Sequence, residues 1–205
     1  MSHVVEPVRL ALFGDSLAAG VGATSRPDTL GPLLSADLAS TGVEVEHRVY
    51  ASSGARSVAL AGQVATAGGW PRLAVVVVGA NDLTHFVPVP EAVAHLAAAL
   101  GALRRDGVEV VLVPAPDLGV VTLVPPDLRG YARDAGLALR TAQRRAAEAA
   151  GVHVVDTSAA SELFAADPSM FSADRFHPSS AGYRVIAAAV APVLRAAARA
   201  LLQTP

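Results

Sequence analysis

Cysteine and lysine are both missing from this sequence of 205 residues, and aromatic residues make up only 4% of it. Without cysteine, the chain forms no disulfide, offers no thiol nucleophile and holds no thiolate metal site. Without lysine, it has no amine for Schiff-base chemistry and no lysine for a phosphate-binding loop. Because aromatic residues are scarce, the hydrophobic core must be built from aliphatic side chains.

The balance of charges excludes a further kind of partner. Sixteen arginines stand against 18 acidic residues, which gives a formal net charge of −2. A nucleic-acid-binding surface needs a marked excess of positive charge, so we predict no nucleic-acid partner. Hydrophobic residues make up 52% of the sequence and charged residues 17%, which is unlike a disordered chain. The length fits one domain that spans residues 1–205.

The sequence carries no recognisable targeting or anchoring pattern. Residues 1–7 contain no basic cluster, and the apolar run Val8–Phe13 is too short for the core of a signal peptide and includes Arg9. No stretch of 18 uncharged apolar residues is present, so we predict no membrane-spanning helix. We therefore expect a cytoplasmic protein.

Short aliphatic runs alternate with alanine-rich stretches along the chain. Five runs predict strands, the second more polar than the rest: Val8–Phe13, Glu44–Tyr50, Leu73–Val78, Val108–Val113 and Val152–Val155. Five stretches with apolar stripes predict helices: Leu30–Ser40, Val58–Thr66, Glu91–Arg105, Leu128–Ala150 and Ser180–Leu202. This alternation predicts an α/β fold, a three-layer α/β/α sandwich around a parallel sheet of five strands.

Polar residues follow the predicted strands, where sheets of this kind bind their ligands. Gly14, Asp15 and Ser16 come after the first strand. A serine at such a turn exposes its hydroxyl, and its own N–H lacks a helical partner, although the same residues would also suit a plain helix cap. Asn81 comes after the third strand, and its amide suits either an oxyanion donor or an Asx turn. The neighbouring Asp82 is expected to be structural.

A candidate general base stands near the end of the chain, where Asp174 precedes His177 by three residues. This spacing lets the carboxylate accept a hydrogen bond from the Nδ1 side of the imidazole, which leaves Nε2 as the base. Of the five other histidines, only His85 closely follows a predicted strand and competes for this role. A nucleophile, extra donors and an oriented base at strand ends make up the set that acyl transfer needs.

Four blocks in this order closely resemble the SGNH subgroup of the GDSL-type lipases and esterases: Gly14-Asp15-Ser16-Leu17, Gly54, Gly79-Ala80-Asn81-Asp82 and Asp174-Arg175-Phe176-His177-Pro178. The resemblance implies a flavodoxin-like sheet of five parallel strands. It implies Ser16 as the nucleophile, His177 as general base and then acid, and Asp174 as the residue that orients His177. It also implies an oxyanion hole made by the N–H groups of Ser16 and Gly54 and the amide of Asn81.

The second block departs from the family pattern in the residues before its glycine. Relatives often carry an asparagine there, whereas this chain reads Tyr50-Ala51-Ser52-Ser53. The resemblance therefore does not predict what supports the turn at Gly54.

Together these residues predict a serine ester hydrolase that acts through an acyl-enzyme on small or medium-chain acyl esters, including acylated carbohydrates or thioesters. This chemistry needs no metal and no organic cofactor. One alternative is an acyltransferase that passes the acyl group to a sugar acceptor, and another is a non-catalytic, flavodoxin-like binding module. Two apolar segments, His85–Val89 and Pro114–Pro126, fit an acyl slot, packing against helices or the contact of a homodimer.

Overall fold

The computed structural model describes residues 6–203, so most of the N-terminal segment 1–7, which the sequence predicts to carry no targeting pattern, lies outside the described residues. Five parallel strands form one sheet in the order β2-β1-β3-β4-β5. They are β1 (Val8–Gly14), β2 (Val45–Val49), β3 (Leu73–Val77), β4 (Glu109–Val113) and β5 (His153–Val154). This is the strand order of a flavodoxin-like sheet, as predicted.

The burial of each strand follows from its sequence and its place in the sheet. Every residue of β3 is buried, because this unbroken aliphatic run lies between β1 and β4. The edge strand β2 contains no fully buried residue, which fits its more polar sequence. The register pairs Gly14 with Val77 and Val77 with Val113. The carboxyl ends of the three central strands therefore finish at one level.

Helices lie on both faces of the sheet. Residues 6–203 contain α1 (Ser16–Ala19), α2 (Leu30–Ala39), α3 (Leu60–Ala67), α4 (Ala80–Thr84), α5 (Val89–Arg105), α6 (Arg129–Ala149), α7 (Ser158–Ala166) and α8 (Ser180–Gln203). On one face α3, α5 and α6 contribute Leu60, Leu100 and Ala147 to the core. On the other face α2 and α8 contribute Leu34 and Leu194. The predicted three-layer sandwich is confirmed.

The predicted strands agree with the structure to within one residue at each end, and the predicted helices to within two. The sequence does not predict α1, α4 and α7 as separate helices. These segments have four, five and nine residues, and so few turns do not display a helical repeat.

The last helix, α8, is part of the core of this fold. Among residues 6–203 it is also the one helix long and apolar enough to cross a membrane by length and composition. Its Tyr183, Val190 and Leu194 are fully buried. Its Arg195 lies 2.6 Å from the carboxylate of Asp37, which ties α8 to α2.

Candidate active site

Ser16 lies between β1 and β3, where the strand order of the sheet reverses and where sheets of this topology bind ligands. Gly14 ends β1 with φ +123°, and a β-carbon on this residue would overlap the carbonyl of Val77 in β3. Only glycine lets the chain turn so close to the neighbouring strand. The N–H of Asp15 donates to that same carbonyl at 3.1 Å, and α1 begins at the next residue.

The structure brings Ser16, His177 and Asp174 into one hydrogen-bonded chain. The Ser16 hydroxyl lies 2.9 Å from Nε2 of His177. On the other side of the ring, Nδ1 of His177 lies 2.6 Å from Oδ2 of Asp174. An ionised carboxylate only accepts, so Nδ1 carries the proton that it donates to Asp174, and Nε2 accepts from the Ser16 hydroxyl. The imidazole is therefore oriented to take the proton of Ser16.

The carboxylate of Asp174 is held by three further donors. Its Oδ1 accepts from the Ser172 hydroxyl at 2.8 Å and from the N–H groups of Phe176 and His177, each at 2.9 Å. Partial burial alone would raise the pKa of Asp174, but the His177 ring and these three donors together hold that pKa well below its usual range. Asp174 therefore stays ionised through neutral and mildly acidic pH.

The loop that carries Asp174 and His177 is tied to the apolar segment after β4. Arg175 has φ +63°, an uncommon backbone conformation for a residue with a side chain. Its guanidinium donates to the carbonyl of Thr122 at 2.8 Å. Its own carbonyl accepts from the Thr122 hydroxyl at 3.1 Å and from the N–H of Leu123 at 3.0 Å. These bonds hold the two segments in one arrangement.

Three candidate oxyanion donors converge on the same end of the sheet. The backbone N–H groups of Ser16 and Gly54 have no acceptor among residues 6–203. Ser16 is nearly buried, and a buried N–H without a partner is uncommon unless a ligand is to supply one. Asn81 is the one asparagine of the chain, and its amide donates to the carbonyl of Ala55 at 3.0 Å. An amide nitrogen carries two hydrogens, so this bond uses one of them.

The turn at Gly54 is braced without the asparagine that relatives often carry. The N–H of Ser52 donates to the carbonyl of Gly14 at 3.1 Å, which fastens the turn to the end of β1. Beyond the turn, the buried carboxylate of Asp82 accepts from the N–H of Ser57 at 3.1 Å and from its hydroxyl at 2.9 Å. Asp82 thus has the structural role expected of it.

Two buried glutamines that sequence reasoning missed fix the strand ends. Gln63 of α3 accepts from the N–H of Gly14 at 2.7 Å and donates to its carbonyl at 2.8 Å. Gln143 of α6 accepts from the N–H of Ala115 at 2.8 Å and donates to the carbonyl of Val78 at 3.0 Å. The sequence does contain a signal for them, because each is a polar residue on the apolar stripe of a helix.

An apolar cavity of about 110 Å³ opens beside Ser16 and His177. Residues of the segment Pro114–Pro126 form one of its walls, and Leu118 and Val121 of that segment are buried. The predicted apolar segment Pro114–Pro126 therefore lies at the site.

The other predicted apolar segment, His85–Val89, does not line this cavity. Its two valines pack against the small cluster that contains Ala92 and Leu139, and Phe86 is exposed. The ring of His85 lies 2.8 Å from the carbonyl of Asn81 and has no bond to Ser16. The imidazole next to Ser16 is that of His177, so the structure does not bring His85 to the candidate nucleophile.

A sequence model of the GDSL-like lipase/acylhydrolase family matches residues 12–185, a range that contains the whole hydrogen-bonded chain described above. The chain belongs to this family. It is 38% identical over 204 residues to the GDSL-like esterase Rv1075c of Mycobacterium tuberculosis. That alignment covers 97% of this chain and 65% of the relative, so the chain described here spans about two thirds of that relative's length.

Solved structures have the same fold as this family member. The crystal structure of TesA matches with a TM-score of 0.74 at 22% identity, over 92% of this chain and 99% of TesA. Axe2, an acetylxylan esterase from Geobacillus stearothermophilus, matches with a TM-score of 0.73 at 18% identity, over 91% and 93% of the two chains. Both likenesses bear out the five-stranded parallel sheet with helices on its two faces.

Tyr183 of α8 is a further residue of this GDSL-family site that sequence reasoning missed. Its hydroxyl donates to the carbonyl of Val21 at 2.8 Å, just beyond α1. Burial, together with the negative charges of Asp15 and Asp174, raises the pKa of Tyr183 well above its usual range. The hydroxyl therefore keeps its proton and holds α8 against the segment that carries Ser16.

Asp15, in the block Gly14-Asp15-Ser16-Leu17, caps α1. It is also buried, which is unfavourable for its charged form. Its carboxylate accepts from the N–H of Leu17 at 3.0 Å, which caps α1. Desolvation raises the pKa of Asp15 from 3.8 to about 6, and the nearby negative charge of Asp82 adds to this rise. Between these two pH values the folded chain binds more protons than the unfolded chain. The free energy of unfolding therefore falls as the pH rises through this window, and it stays lower above it.

We expect Asp15→Asn to stabilise the fold at pH 8 by up to about 3 kcal/mol, because it keeps the capping oxygen and removes the buried charge. At pH 4 the gain should disappear, since the carboxyl is then already protonated. Urea unfolding of the variant and the wild type at both pH values measures this difference. Asp134→Asn is the control, because Asp134 is exposed on α6. An equal stability change at both pH values would contradict the prediction.

Proposed function

We propose that this chain is a serine ester hydrolase that works through a covalent acyl-enzyme. The observation that carries the proposal is the chain of contacts from Ser16 to His177 at 2.9 Å and from His177 to Asp174 at 2.6 Å. The N–H groups of Ser16 and Gly54, which have no acceptor among residues 6–203, support it, and so does the membership of the GDSL-like lipase/acylhydrolase family. A binding module would need none of this proton-transfer geometry.

In the first step, Ser16 is the nucleophile and His177 the general base. The Oγ of Ser16 forms a bond to the ester carbonyl carbon while its proton moves to Nε2 of His177. Asp174 stabilises the imidazolium that results, because it is ionised and accepts from Nδ1. The tetrahedral intermediate then collapses, and the bond to the alcohol oxygen breaks. His177 returns the proton to that oxygen, so the alcohol leaves neutral and the acyl group stays on Ser16.

In the second step, water takes the place of the alcohol. His177 accepts a proton from the water as its oxygen bonds to the acyl carbon, and a second tetrahedral intermediate forms. Its collapse breaks the bond to Ser16 Oγ, which regains its proton from Nε2. The free acid leaves, and the enzyme is restored with no cofactor consumed.

The oxygen that becomes negative in both intermediates is held by the N–H groups of Ser16 and Gly54 and by the amide of Asn81. Donors that are already in place cost no reorganisation when the charge develops. Asn81 is oriented for this role by its bond to the carbonyl of Ala55.

Asn81→Ala is expected to lower kcat by about 10²–10³-fold with little change in KM, because the lost donor acts on the transition state rather than on the bound ester. Steady-state kinetics with p-nitrophenyl butyrate measure both parameters. Thermal unfolding of the variant controls for loss of the bond to Ala55. An effect confined to KM would contradict the oxyanion role.

The proposed substrates are esters of small or medium acyl chains, and the relatives guide the choice of alcohol. The relative from M. tuberculosis is an esterase and Axe2 is an acetylxylan esterase by name. We therefore include acetylated xylo-oligosaccharides among the esters to be tested, beside p-nitrophenyl and coenzyme A esters.

The test of the proposal is direct detection of the acyl-enzyme. Acid quench during turnover of a p-nitrophenyl ester, followed by mass spectrometry, should show the mass of one acyl group on the peptide that contains Ser16. Free acid should form at the same rate whether or not sugar acceptors are present. Acyl groups found on the sugar would point to transfer instead, and turnover without any acyl-enzyme would overturn the mechanism.

A further inference from the structure

The cavity beside Ser16 reaches from the carboxyl ends of the strands into the space between the sheet and α8. Ser16 and His177 line it near the start of α8, which begins at Ser180. Ile186 and Ala189 line it further along the same helix. A helix rises 1.5 Å per residue, so these two side chains lie about 9 and about 14 Å along α8 from its first residue. The lining of the cavity therefore extends along α8.

The walls of this cavity are almost entirely apolar. Phe164 of α7 and Phe171 form an edge-to-face pair on one side, with ring centroids 5.0 Å apart. Val121, in the segment that follows β4, forms another part of the wall. Such walls stabilise an aliphatic chain, whereas a sugar or another polar alcohol would lose hydrogen bonds to water there. The cavity thus suits the hydrocarbon part of an ester.

The size of the cavity limits the length of that hydrocarbon. Its volume is about 110 Å³. An apolar protein cavity of about 150 Å³ accommodates a benzene molecule of six carbons. By that scale the cavity takes about four carbon atoms beyond the carbonyl carbon, so acyl chains of more than about six carbons would have to protrude from it.

We propose that this cavity is the acyl subsite, that it selects acyl chains of about four to six carbons, and that Ala189 sets its far limit. The inference rests on the proposed ester hydrolysis and adds the substrate class to it. A chain bound there stays in place while water replaces the alcohol, since it is attached to Ser16 through the acyl bond. Each methylene buried in the subsite contributes a factor of about four to binding.

The first arm of the test compares Ala189→Leu with Ala188→Leu. The two positions are adjacent on α8, but Ala188 is exposed and does not line the cavity. For the wild type, kcat/KM for p-nitrophenyl esters should rise from acetate to butyrate or hexanoate and then stop rising. Ala189→Leu should lower kcat/KM for hexanoate at least about tenfold and leave that for acetate within twofold. Ala188→Leu should follow the wild type throughout.

The second arm varies the alcohol with the acyl group fixed as acetate, using ethyl, butyl and hexyl acetate. Neither leucine variant should change this series. A change by Ala189→Leu here but not in the acyl series would assign the cavity to the alcohol and overturn the inference. An unchanged acyl series, or the same change in both leucine variants, would overturn it as well.

A third arm separates the inference from the proposed function, because it needs no turnover. Titration calorimetry with sodium hexanoate should show binding to the wild type and to Ala188→Leu, and at least tenfold weaker binding to Ala189→Leu. If the wild type cleaves no ester but shows this pattern, the proposed function fails and the acyl subsite stands. If esters are cleaved but Ala189→Leu binds hexanoate as tightly as the wild type does, the subsite fails and the proposed function stands.

Discussion

Ser16→Ala is expected to lower kcat for p-nitrophenyl butyrate by about 10⁴–10⁶-fold, because among residues 6–203 no other hydroxyl is hydrogen-bonded to Nε2 of His177. The remaining rate over water would come from the oxyanion donors and from substrate binding, which the substitution leaves in place. Since KM depends on contacts that do not involve the hydroxyl, it should change little. Initial rates at high enzyme concentration measure the residual activity.

Ser40→Ala provides the matched control for this prediction. It removes a hydroxyl from an exposed position at the end of α2, where the hydroxyl bonds only to the carbonyl of Asp37. Its rate should stay within twofold of the wild type. Thermal unfolding should show that Ser16→Ala remains folded, because the lost hydroxyl makes one partly buried hydrogen bond. Rapid turnover by the folded Ser16→Ala protein would remove Ser16 from its role as the nucleophile.

Asp174→Asn is expected to lower kcat by about 10³–10⁴-fold, through the tautomer of His177. The backbone N–H groups of Phe176 and His177 and the hydroxyl of Ser172 all donate to Oδ1 of residue 174. An asparagine must therefore keep its oxygen on that side and turn its NH₂ group toward Nδ1 of His177. Nδ1 would then have to accept, so the proton would move to Nε2. A protonated Nε2 cannot take the proton of Ser16.

The matched control is Asp167→Asn, at a carboxylate that also accepts a backbone N–H, from Ser169, but touches no histidine. It should keep nearly full activity. A loss of less than tenfold in Asp174→Asn would show that Asp174 does not set the tautomer of His177. Nitrogen NMR of the imidazole provides a second readout, because the proton should reside on Nδ1 in the wild type and on Nε2 in the variant.

Local patterns in the sequence were sufficient to predict most of the fold. The unbroken aliphatic run of β3 and the apolar stripes of α5 and α6 depend on neighbours that are close in sequence, and their bounds are nearly those observed. The short helix α7 lacks such a pattern. Its Phe164 packs edge-to-face against Phe171, which lies outside α7 in the segment that leads to α8.

The candidate site likewise contains residues that the sequence predicts and residues that it does not. The sequence predicts Ser16 and Asn81 because each follows a predicted strand. It predicts Asp174 and His177 because they are three residues apart. Gln63 and Gln143 could not be assigned, since their partners are backbone groups 49 and 28 or more residues away. The cavity was only partly foreseen, because its far end belongs to α8, whose alanines carry no signal of their own.

The contact between Ser16 and His177 joins residues that are 161 positions apart in the chain. During synthesis, a nascent polypeptide that ends before residue 177 holds the hydroxyl but not the imidazole. A contact of such long range also carries an entropic cost, because forming it closes a large loop. Under the proposed mechanism, ester cleavage therefore requires that the whole architecture has assembled, and a partly folded molecule would leave ester bonds intact.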